Sequence, residues 1–164
     1  MNQQFEIQIR SAGLPDLPEI QNLFVTTISS ICIHDYSPDQ INAWTSSIKN
    51  TERWSGKINS QYFLVALSDH KIVGFASLEK KDYLDFLYVH KDFQRRGIAL
   101  KLYNLIEVEA LNRGAMVLNS DVSITAKPFF EKNGFTVLQP QTVMIDGIEI
   151  ANFKMTKKVY KTIL

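Results

Sequence analysis

The segment Gln94-Arg95-Arg96-Gly97-Ile98-Ala99 places two cations and a glycine directly before a helical pattern. The first N–H groups of a helix have no partner within the helix, and the helix dipole adds partial positive charge there. Gly97 lets the backbone approach a ligand closely, and the small Ala99 leaves the next turn uncrowded. These features favour an anion site suited to a pyrophosphate. The alternative is an ordinary surface turn with two solvated arginines.

Other phosphate loops and nucleophilic sites are absent or poorly supported. Neither G-x-x-x-x-G-K-[ST] nor G-x-G-x-x-G occurs in the chain. Cys32 and His34 lie close together and suggest a Cys–His nucleophile or a metal site. Residues adjacent on a loop need not converge, and no second Cys/His cluster is present to complete such a site. We therefore predict no metal.

The elements around the 94–99 segment define its setting. The apolar run 83–89 predicts a strand before it, and the apolar spacing from Ile98 to Ala110 predicts a helix after it. Gly114 fits the position just beyond the end of that helix. A short strand at 115–118 then completes a βαβ crossover.

The rest of the chain supplies further strands and helices. Asp146-Gly147 is typical of a type I′ hairpin turn. Ser37 and Pro38 match an N-cap followed by proline at the first helical position. Strands are predicted at 5–10, 62–67, 72–78, 135–145 and 148–155, and helices near 17–28, 38–48 and 125–133. This order predicts an α+β fold, with a mixed sheet of about seven strands flanked by about four helices.

Composition indicates the class of protein. With 164 residues and no linker or repeat, we expect one domain spanning 1–164. A net charge of +1 gives no reason to expect nucleic acid or a membrane surface as partner. A single cysteine, together with no signal peptide or apolar span, predicts a cytoplasmic protein.

The order Q-x-x-G-x-A after a strand, with Phe129-Phe130-Glu131-Lys132-Asn133-Gly134-Phe135 downstream, resembles the GCN5-related N-acetyltransferase family. The family's pyrophosphate motif is [QR]-x-x-G-x-[GA], and its later helix commonly ends in K-x-G-F. The resemblance extends over essentially the whole chain and is strongest from Tyr83 to Phe135. It implies a three-layer fold and transfer of an acetyl group from acetyl-CoA to a primary amine of a small molecule, peptide or protein, by direct attack in a ternary complex.

The resemblance also implies which residues hold acetyl-CoA. Backbone amides of the 94–99 segment would bind the pyrophosphate, and the preceding strand would pair with the pantetheine arm through Leu87 and Val89. Tyr88, between them, has the opposite side-chain parity, which favours packing. The expected cofactor-binding residues are Leu87, Tyr88, Val89, Gln94, Arg95, Arg96, Gly97, Ile98, Ala99, Ser123, Ala126, Phe129 and Phe130.

The catalytic groups depend on the same strand. Many family members have a tyrosine where this chain has Phe130, and phenylalanine has no proton to give to the departing thiolate. Asp85 shares side-chain parity with Leu87 and is the candidate base, although a structural strand carboxylate is the alternative. Tyr83 has the same parity and is a candidate acid, with a packing role as its alternative.

The acceptor side is predicted in the first two helices. The pattern C-x-x-D-Y-x-x-x-Q-x-x-x-W at Cys32, Asp35, Tyr36 and Trp44 is similar to a bacterial subgroup related to the YafP proteins, in which phenylalanine at the Phe130 position is usual. Aromatic rings there could stack on an acceptor while Asp35 pairs with its ammonium. Trp44 in the helix core and Asp35 as a helix cap are the alternatives.

Two further expectations follow. Because Phe130 lacks a hydroxyl, a non-catalytic acyl-CoA-binding or sensor module is the alternative to an enzyme. The final hairpin offers a surface on which a second copy could form a homodimer.

Overall fold

A computed structural model describes residues 6–161 of the chain. Seven strands form one mixed sheet in the order β1-β2-β3-β4-β5-β7-β6. The strands are β1 (Gln8–Ser11), β2 (Tyr62–Ser68), β3 (Lys71–Glu79), β4 (Tyr83–Val89), β5 (Val117–Ser123), β6 (Thr136–Ile145) and β7 (Ile148–Lys158). The helices are α1 (Leu17–Ile31), α2 (Pro38–Thr45), α3 (Thr51–Ser60), α4 (Ile98–Asn112) and α5 (Lys127–Lys132).

The sheet is antiparallel except between β4 and β5, which run parallel. These two strands pair at a single position, Tyr83 opposite Asn119, and do not pair beyond it. Just past that point the Ser120 hydroxyl donates to the Leu84 carbonyl at 2.7 Å. The sheet therefore opens between the carboxyl-terminal halves of β4 and β5.

Two hydrophobic clusters hold the helices on opposite sides of the sheet. One contains Leu102 and Ile106 of α4 together with Leu84 and Val89 of β4. The other contains Phe24 of α1 and Trp54 of α3, against which Phe86 and Tyr88 of β4 pack. The three-layer α+β arrangement and the seven strands predicted from the sequence are confirmed.

The sequence predicted about four helices, and the described residues form five, because α3 is a separate helix. α2 ends at Thr45, and a 3-10 turn at Ser46–Lys49 follows it, whereas the sequence suggested one helix through Ile48. The Asn50 side chain then accepts from the Arg53 amide and caps α3. Only Trp54 and Ile58 of α3 are buried, so its apolar pattern is too sparse to stand out.

Other boundaries also moved. β5 runs to Ser123 rather than ending at Leu118, because buried Leu118, Ser120 and Val122 alternate with outward-facing residues. The first predicted strand began at Phe5, which lies outside the described residues. Asp146 and Gly147 have φ of 49° and 76°, which confirms the type I′ turn signal. Within residues 6–161, no helix is both long and apolar enough to cross a membrane.

Candidate active site

A cleft of about 380 Å³ lies where β4 and β5 separate. β4 contributes Asp85, Leu87 and Val89 to its lining, and β5 contributes Asp121 and Ser123. Of the residues predicted from the sequence, the lining includes Cys32, Tyr36, Trp44, Asp85, Leu87, Tyr88, Val89, Gln94, Ala99, Ser123, Ala126, Phe129 and Phe130. The fold thus brings residues from distant parts of the sequence to one site.

The 94–99 segment forms a backbone cradle at the start of α4. Gly97 occupies the N-cap position with φ of 76°, a left-handed conformation that favours glycine. Apart from its chain neighbours, no atom of residues 6–161 lies within 4 Å of where a Cβ at Gly97 would be, so the space beside Gly97 at the start of α4 is open. The side chain of Ile98 is buried in the core, so only its backbone is available to a ligand. This geometry suits an anion bound by main-chain N–H groups.

Side chains around the cradle mostly hold the loop. The Gln94 amide donates to the Val89 carbonyl at 2.6 Å and ties the loop back to β4. The Arg96 guanidinium lies over the Phe93 ring at 4.9 Å from its centroid. Arg95 has φ of 62°, so its backbone turns the chain toward Gly97. Arg95, Arg96, Gly97 and Ile98 do not border the 380 Å³ cleft itself.

His90 supports the turn that leads into the cradle. Its Nδ1 accepts the Asp92 amide N–H at 3.1 Å, which requires an unprotonated nitrogen. Burial lowers the pKa of His90, and the nearby Lys71 lowers it further. The neutral imidazole therefore orders the 3-10 turn at Lys91–Phe93.

Asp85 lies at a β-bulge in β4. Ser77 of β3 pairs with Phe86 and Leu78 pairs with Leu84, which leaves Asp85 without a partner in the register. The bulge breaks the side-chain alternation on which its predicted parity with Leu87 was based. Leu87 packs with the α4 cluster, whereas the Asp85 carboxylate bonds side chains on and just beyond α3.

Two donors hold the Asp85 carboxylate. Lys57 forms an ion pair with it, and Gln61 donates its amide N–H at 2.8 Å. The side chains of Lys57 and Asp85 are 17% and 14% exposed. The carboxylate is therefore fixed in a largely buried position that still borders the cleft.

Tyr83 lies at the closed end of the opening between β4 and β5. Its hydroxyl donates to the Asp121 carboxylate at 2.9 Å, and it does not border the cleft. Burial and the Asp121 carboxylate raise the pKa of Tyr83 far above its ordinary value. Its role as an acid stays a prediction.

The fold and the sequence both match known acetyltransferases. A family profile described as "Acetyltransferase (GNAT) domain" matches residues 32–157. The chain is 34% identical over 152 residues to the uncharacterized N-acetyltransferase YafP of Escherichia coli, covering 93% of this chain and 96% of that protein.

The chain belongs to the GNAT family.

Two solved structures share the GNAT fold. A GCN5-related N-acetyltransferase from Rhodopseudomonas palustris is 35% identical with a TM-score of 0.90, covering 93% of this chain and 95% of that chain. The PaiA N-acetyltransferase from Thermoplasma acidophilum, solved in complex with coenzyme A, is 23% identical with a TM-score of 0.77, covering 94% and 99%. Membership of the family identifies the chain as an acetyltransferase.

This chain has Phe130 at the position where many GNAT proteins have a tyrosine. The Phe130 ring is 4% exposed and packs edge-on against Phe129 and Phe135, with centroids 5.9 and 5.0 Å away. Phe130 and Phe129 both border the cleft. The Ser123 hydroxyl accepts the Ala126 amide N–H at 3.0 Å, so it orders the chain before α5.

Tyr36, predicted from the sequence to lie on the acceptor side, links the segment before α2 to β7 and to the residue just after β5. Its hydroxyl donates to the Ala151 carbonyl at 2.8 Å and accepts the Ile124 amide N–H at 2.9 Å. Burial raises the pKa of Tyr36. The Trp44 ring meets Tyr36 edge-on at 5.3 Å and borders the cleft, so Trp44 is not confined to the core.

The other predicted acceptor residues differ in exposure. Cys32 borders the cleft, and burial raises the pKa of its thiol. Asp35 is exposed, accepts from the Thr125 hydroxyl at 2.8 Å and does not border the cleft. Trp54 lies in the core and stacks on Phe86 with ring centroids 4.9 Å apart.

Several lining residues were missed from the sequence. The β6–β7 hairpin contributes Val143, Ile145, Ile150 and Asn152, and α1 contributes Thr27 and Ile31. Val143 and Ile145 are two residues apart in β6, which indicated that both side chains lie on the same face of the sheet. Nothing in the sequence showed that this face meets α1. Lys57 and Gln61 were missed because the helix that carries Lys57 was not predicted.

Proposed function

We propose that this acetyltransferase transfers an acetyl group from acetyl-CoA to a primary amine by direct attack in a ternary complex. The proposal is based on one observation, that a single cleft runs from the anion cradle past β4 and β5. Gln94 and Ala99 of the anion cradle border the same cleft as Leu87 of β4 and Ser123 of β5. An extended ligand with a pyrophosphate at one end can therefore reach from the cradle to the acceptor side.

The residues present fit acetyl-CoA. Main-chain N–H groups from Arg95 to Ala99 would hold the pyrophosphate, because the space beside Gly97 at the start of α4 is open. The unpaired edge of β4 beyond Tyr83 offers backbone groups to the pantetheine arm, as an added strand would. The PaiA protein, which has the same fold, was solved in complex with coenzyme A, which supports binding of acetyl-CoA by this chain.

The proposed chemistry is acyl transfer. A thioester bound in the cleft supplies an acetyl carbonyl, a C–N bond forms as a neutral amine attacks it, and the C–S bond breaks. In this proposal Asp85 accepts a proton from the amine, directly or through a water. Phe130 has no proton to give. In this proposal the coenzyme leaves as a thiolate, which is a better leaving group than an alkoxide because thiols, such as that of cysteine with a pKa of about 8.5, are much more acidic than alcohols.

Calorimetric titration with acetyl-CoA tests the binding half of the proposal. Gly97→Asp should abolish binding, because it adds a carboxylate and a Cβ against the phosphates in a strained conformation. Charge reversal at Arg95 and Arg96 should also weaken binding. Gly56→Asp is the matched control, since Gly56 is exposed on α3 with nothing within 4 Å of its Cβ position. Acetyl-CoA binding that survives Gly97→Asp would contradict the cradle.

Release of free coenzyme A with a broad panel of amines tests the transfer half. Turnover with any amine supports the proposal. Binding without turnover across the panel would favour the non-catalytic acyl-CoA-binding alternative, for which the missing hydroxyl at Phe130 is the specific observation.

Two wider predictions belong to the same proposal. Residues 1–164 are taken as one N-acetyltransferase domain, and a homodimer through the β6–β7 hairpin stays a prediction. Size-exclusion chromatography with light scattering measures the oligomeric state directly.

A further inference from the structure

The part of the cleft bordered by α1, α2, β6 and β7, here called the acceptor half, has mainly apolar walls. Its apolar and aromatic lining residues are Ile31, Trp44, Tyr88, Val143, Ile145 and Ile150. Tyr88 is packed among Phe24 and Phe75, with ring centroids 5.0 and 5.2 Å away, so its ring is fixed as part of the wall. A ligand that fills this space must itself present apolar surface.

Few charged side chains border the cleft, and each of them already accepts hydrogen bonds from the protein. Among the described residues that line it, Asp85 and Asp121 are the charged ones, and none is a lysine or arginine. Lys57 and Gln61 hold Asp85. Asp121 accepts from the Tyr83 hydroxyl at 2.9 Å and from the Gln141 amide at 2.8 Å. Within residues 6–161, the cleft thus offers no cation to a ligand carboxylate, and α1, α2, β6 and β7 contribute no carboxylate to its lining that could pair with a second ammonium.

One polar group of the acceptor half lacks a partner. The Oδ1 atom of Asn152, on β7, is buried and accepts no hydrogen bond from the described part of the chain. Asn152 lies opposite Ser123 of β5 in the register and next to Ala151, which Tyr36 anchors. Two other buried oxygens share this condition, those of Gln61 and Ser77, but neither residue borders the cleft. A buried acceptor without a donor is costly, so a ligand N–H is a physically reasonable partner.

We propose that the acceptor is a primary amine carried on an uncharged, apolar body, and that Asn152 Oδ1 accepts an N–H from it. This inference rests on the proposed transfer to an amine and specifies the substrate class. The apolar walls contact the body, while Asn152 orients the nitrogen. Amino acids with a free carboxylate and polyamines are disfavoured, because each would bring an unpaired charge into this half of the cleft.

Three amines of equal chain length test the substrate class. Hexylamine has an uncharged body, aminohexanoate adds a terminal carboxylate, and hexanediamine adds a terminal ammonium. We expect kcat/KM for hexylamine to exceed that of either charged analogue by roughly tenfold or more, as one uncompensated charge costs at least that much. Faster turnover of a charged analogue, or no turnover of hexylamine, overturns the inference. Calorimetry of acetyl-CoA binding does not depend on which amine is used. A failure of the proposed function would appear there as lost acetyl-CoA binding, whereas a failure of this inference would leave that binding intact.

Substitution of Asn152 tests the proposed contact. Asn152→Leu removes the amide at similar size and should raise KM for hexylamine roughly tenfold while acetyl-CoA affinity is unchanged. Asn152→Ser keeps a neutral side-chain oxygen that can accept the N–H and should raise KM less than Asn152→Leu does. Asn104→Leu makes the same chemical change on the exposed face of α4 and serves as control. Equal KM in the parent and Asn152→Leu overturns the contact. If the leucine variant does not fold, Asn152→Ala gives the same comparison without an added apolar side chain.

Discussion

Lys57 of α3 and Asp85 at the bulge of β4 form an ion pair beside the cleft, and Gln61 donates to the same carboxylate at 2.8 Å. The pair joins the helix missed in the sequence to the residue proposed as base. Because both side chains are largely buried, removing one partner leaves a charge without compensation.

Asp85→Asn is expected to reduce both rate and stability. Loss of the base should lower kcat by about a hundredfold or more, while the affinity for acetyl-CoA stays the same. The unpaired Lys57 ammonium should lower the free energy of unfolding by roughly 1–3 kcal/mol. Steady-state kinetics and urea denaturation measure the two effects. An unchanged kcat would remove Asp85 from the mechanism and leave it a structural role.

Lys57→Met separates the two roles of this pair. The variant keeps the Asp85 carboxylate and its hydrogen bond from Gln61 but loses the ammonium. We expect a loss of stability similar to that of Asp85→Asn, with a much smaller fall in kcat. A hundredfold fall in kcat would show instead that Lys57 itself is required for turnover.

Gly97 and Gly56 should respond oppositely to alanine. Gly97 has φ of 76°, so a Cβ there is strained even though the surrounding space is open, and Gly97→Ala should cost about 1–2 kcal/mol. Gly56 lies inside α3 in an ordinary helical conformation with open space around it. Gly56→Ala should therefore stabilise the protein by about 0.5–1 kcal/mol. Urea midpoints of the two variants provide the measurement, and a stabilising Gly97→Ala would contradict the strain argument.

Local sequence signals predicted the parts of the site that depend on backbone conformation. Gly114 after α4 and Asp146-Gly147 in the hairpin have the positive φ that their patterns indicated. Gly97, which was expected to let the backbone approach a ligand, also has a positive φ. These positions could be predicted because the conformation is set by neighbouring residues alone.

Long-range features were not predictable in the same way. The bulge at Asp85 depends on the register between β3 and β4, which the sequence of β4 alone does not contain. Asn152 meets the cleft only because β7 inserts between β5 and β6 in the sheet. Such tertiary placement determines the acceptor half, which explains why Asp35 was predicted there and Asn152 was not.

The pKa of His90 should make stability depend on pH. Its folded-state pKa lies below the ordinary value of 6.5, because burial and Lys71 disfavour the charged imidazolium. Above that ordinary value both states are neutral and the full stability is present. As the pH falls below it, the unfolded chain binds a proton before the folded chain does, and the free energy of unfolding decreases.

Variants at two histidines test this dependence. His90→Asn removes the titrating group and keeps an oxygen that can accept the Asp92 amide, so its stability should change less between pH 7 and about 5.5. His70→Asn is the control, since His70 lies in an exposed hairpin turn. Urea denaturation at several pH values gives the slopes. Equal slopes in the parent and His90→Asn would contradict the assignment.

Tyr36→Phe tests whether the Tyr36 hydroxyl positions the cleft or supplies the proton that Phe130 lacks. The substitution leaves the Ala151 carbonyl and the Ile124 amide without their partner, so the free energy of unfolding should fall by roughly 1–3 kcal/mol. Because Ala151 adjoins Asn152, we also expect KM for the amine to rise several-fold with kcat little changed. Tyr160→Phe, at a 71% exposed tyrosine, is the matched control and should change neither quantity. A fall in kcat of about a hundredfold at constant KM would contradict the positioning role and identify Tyr36 as the proton donor to the departing thiolate.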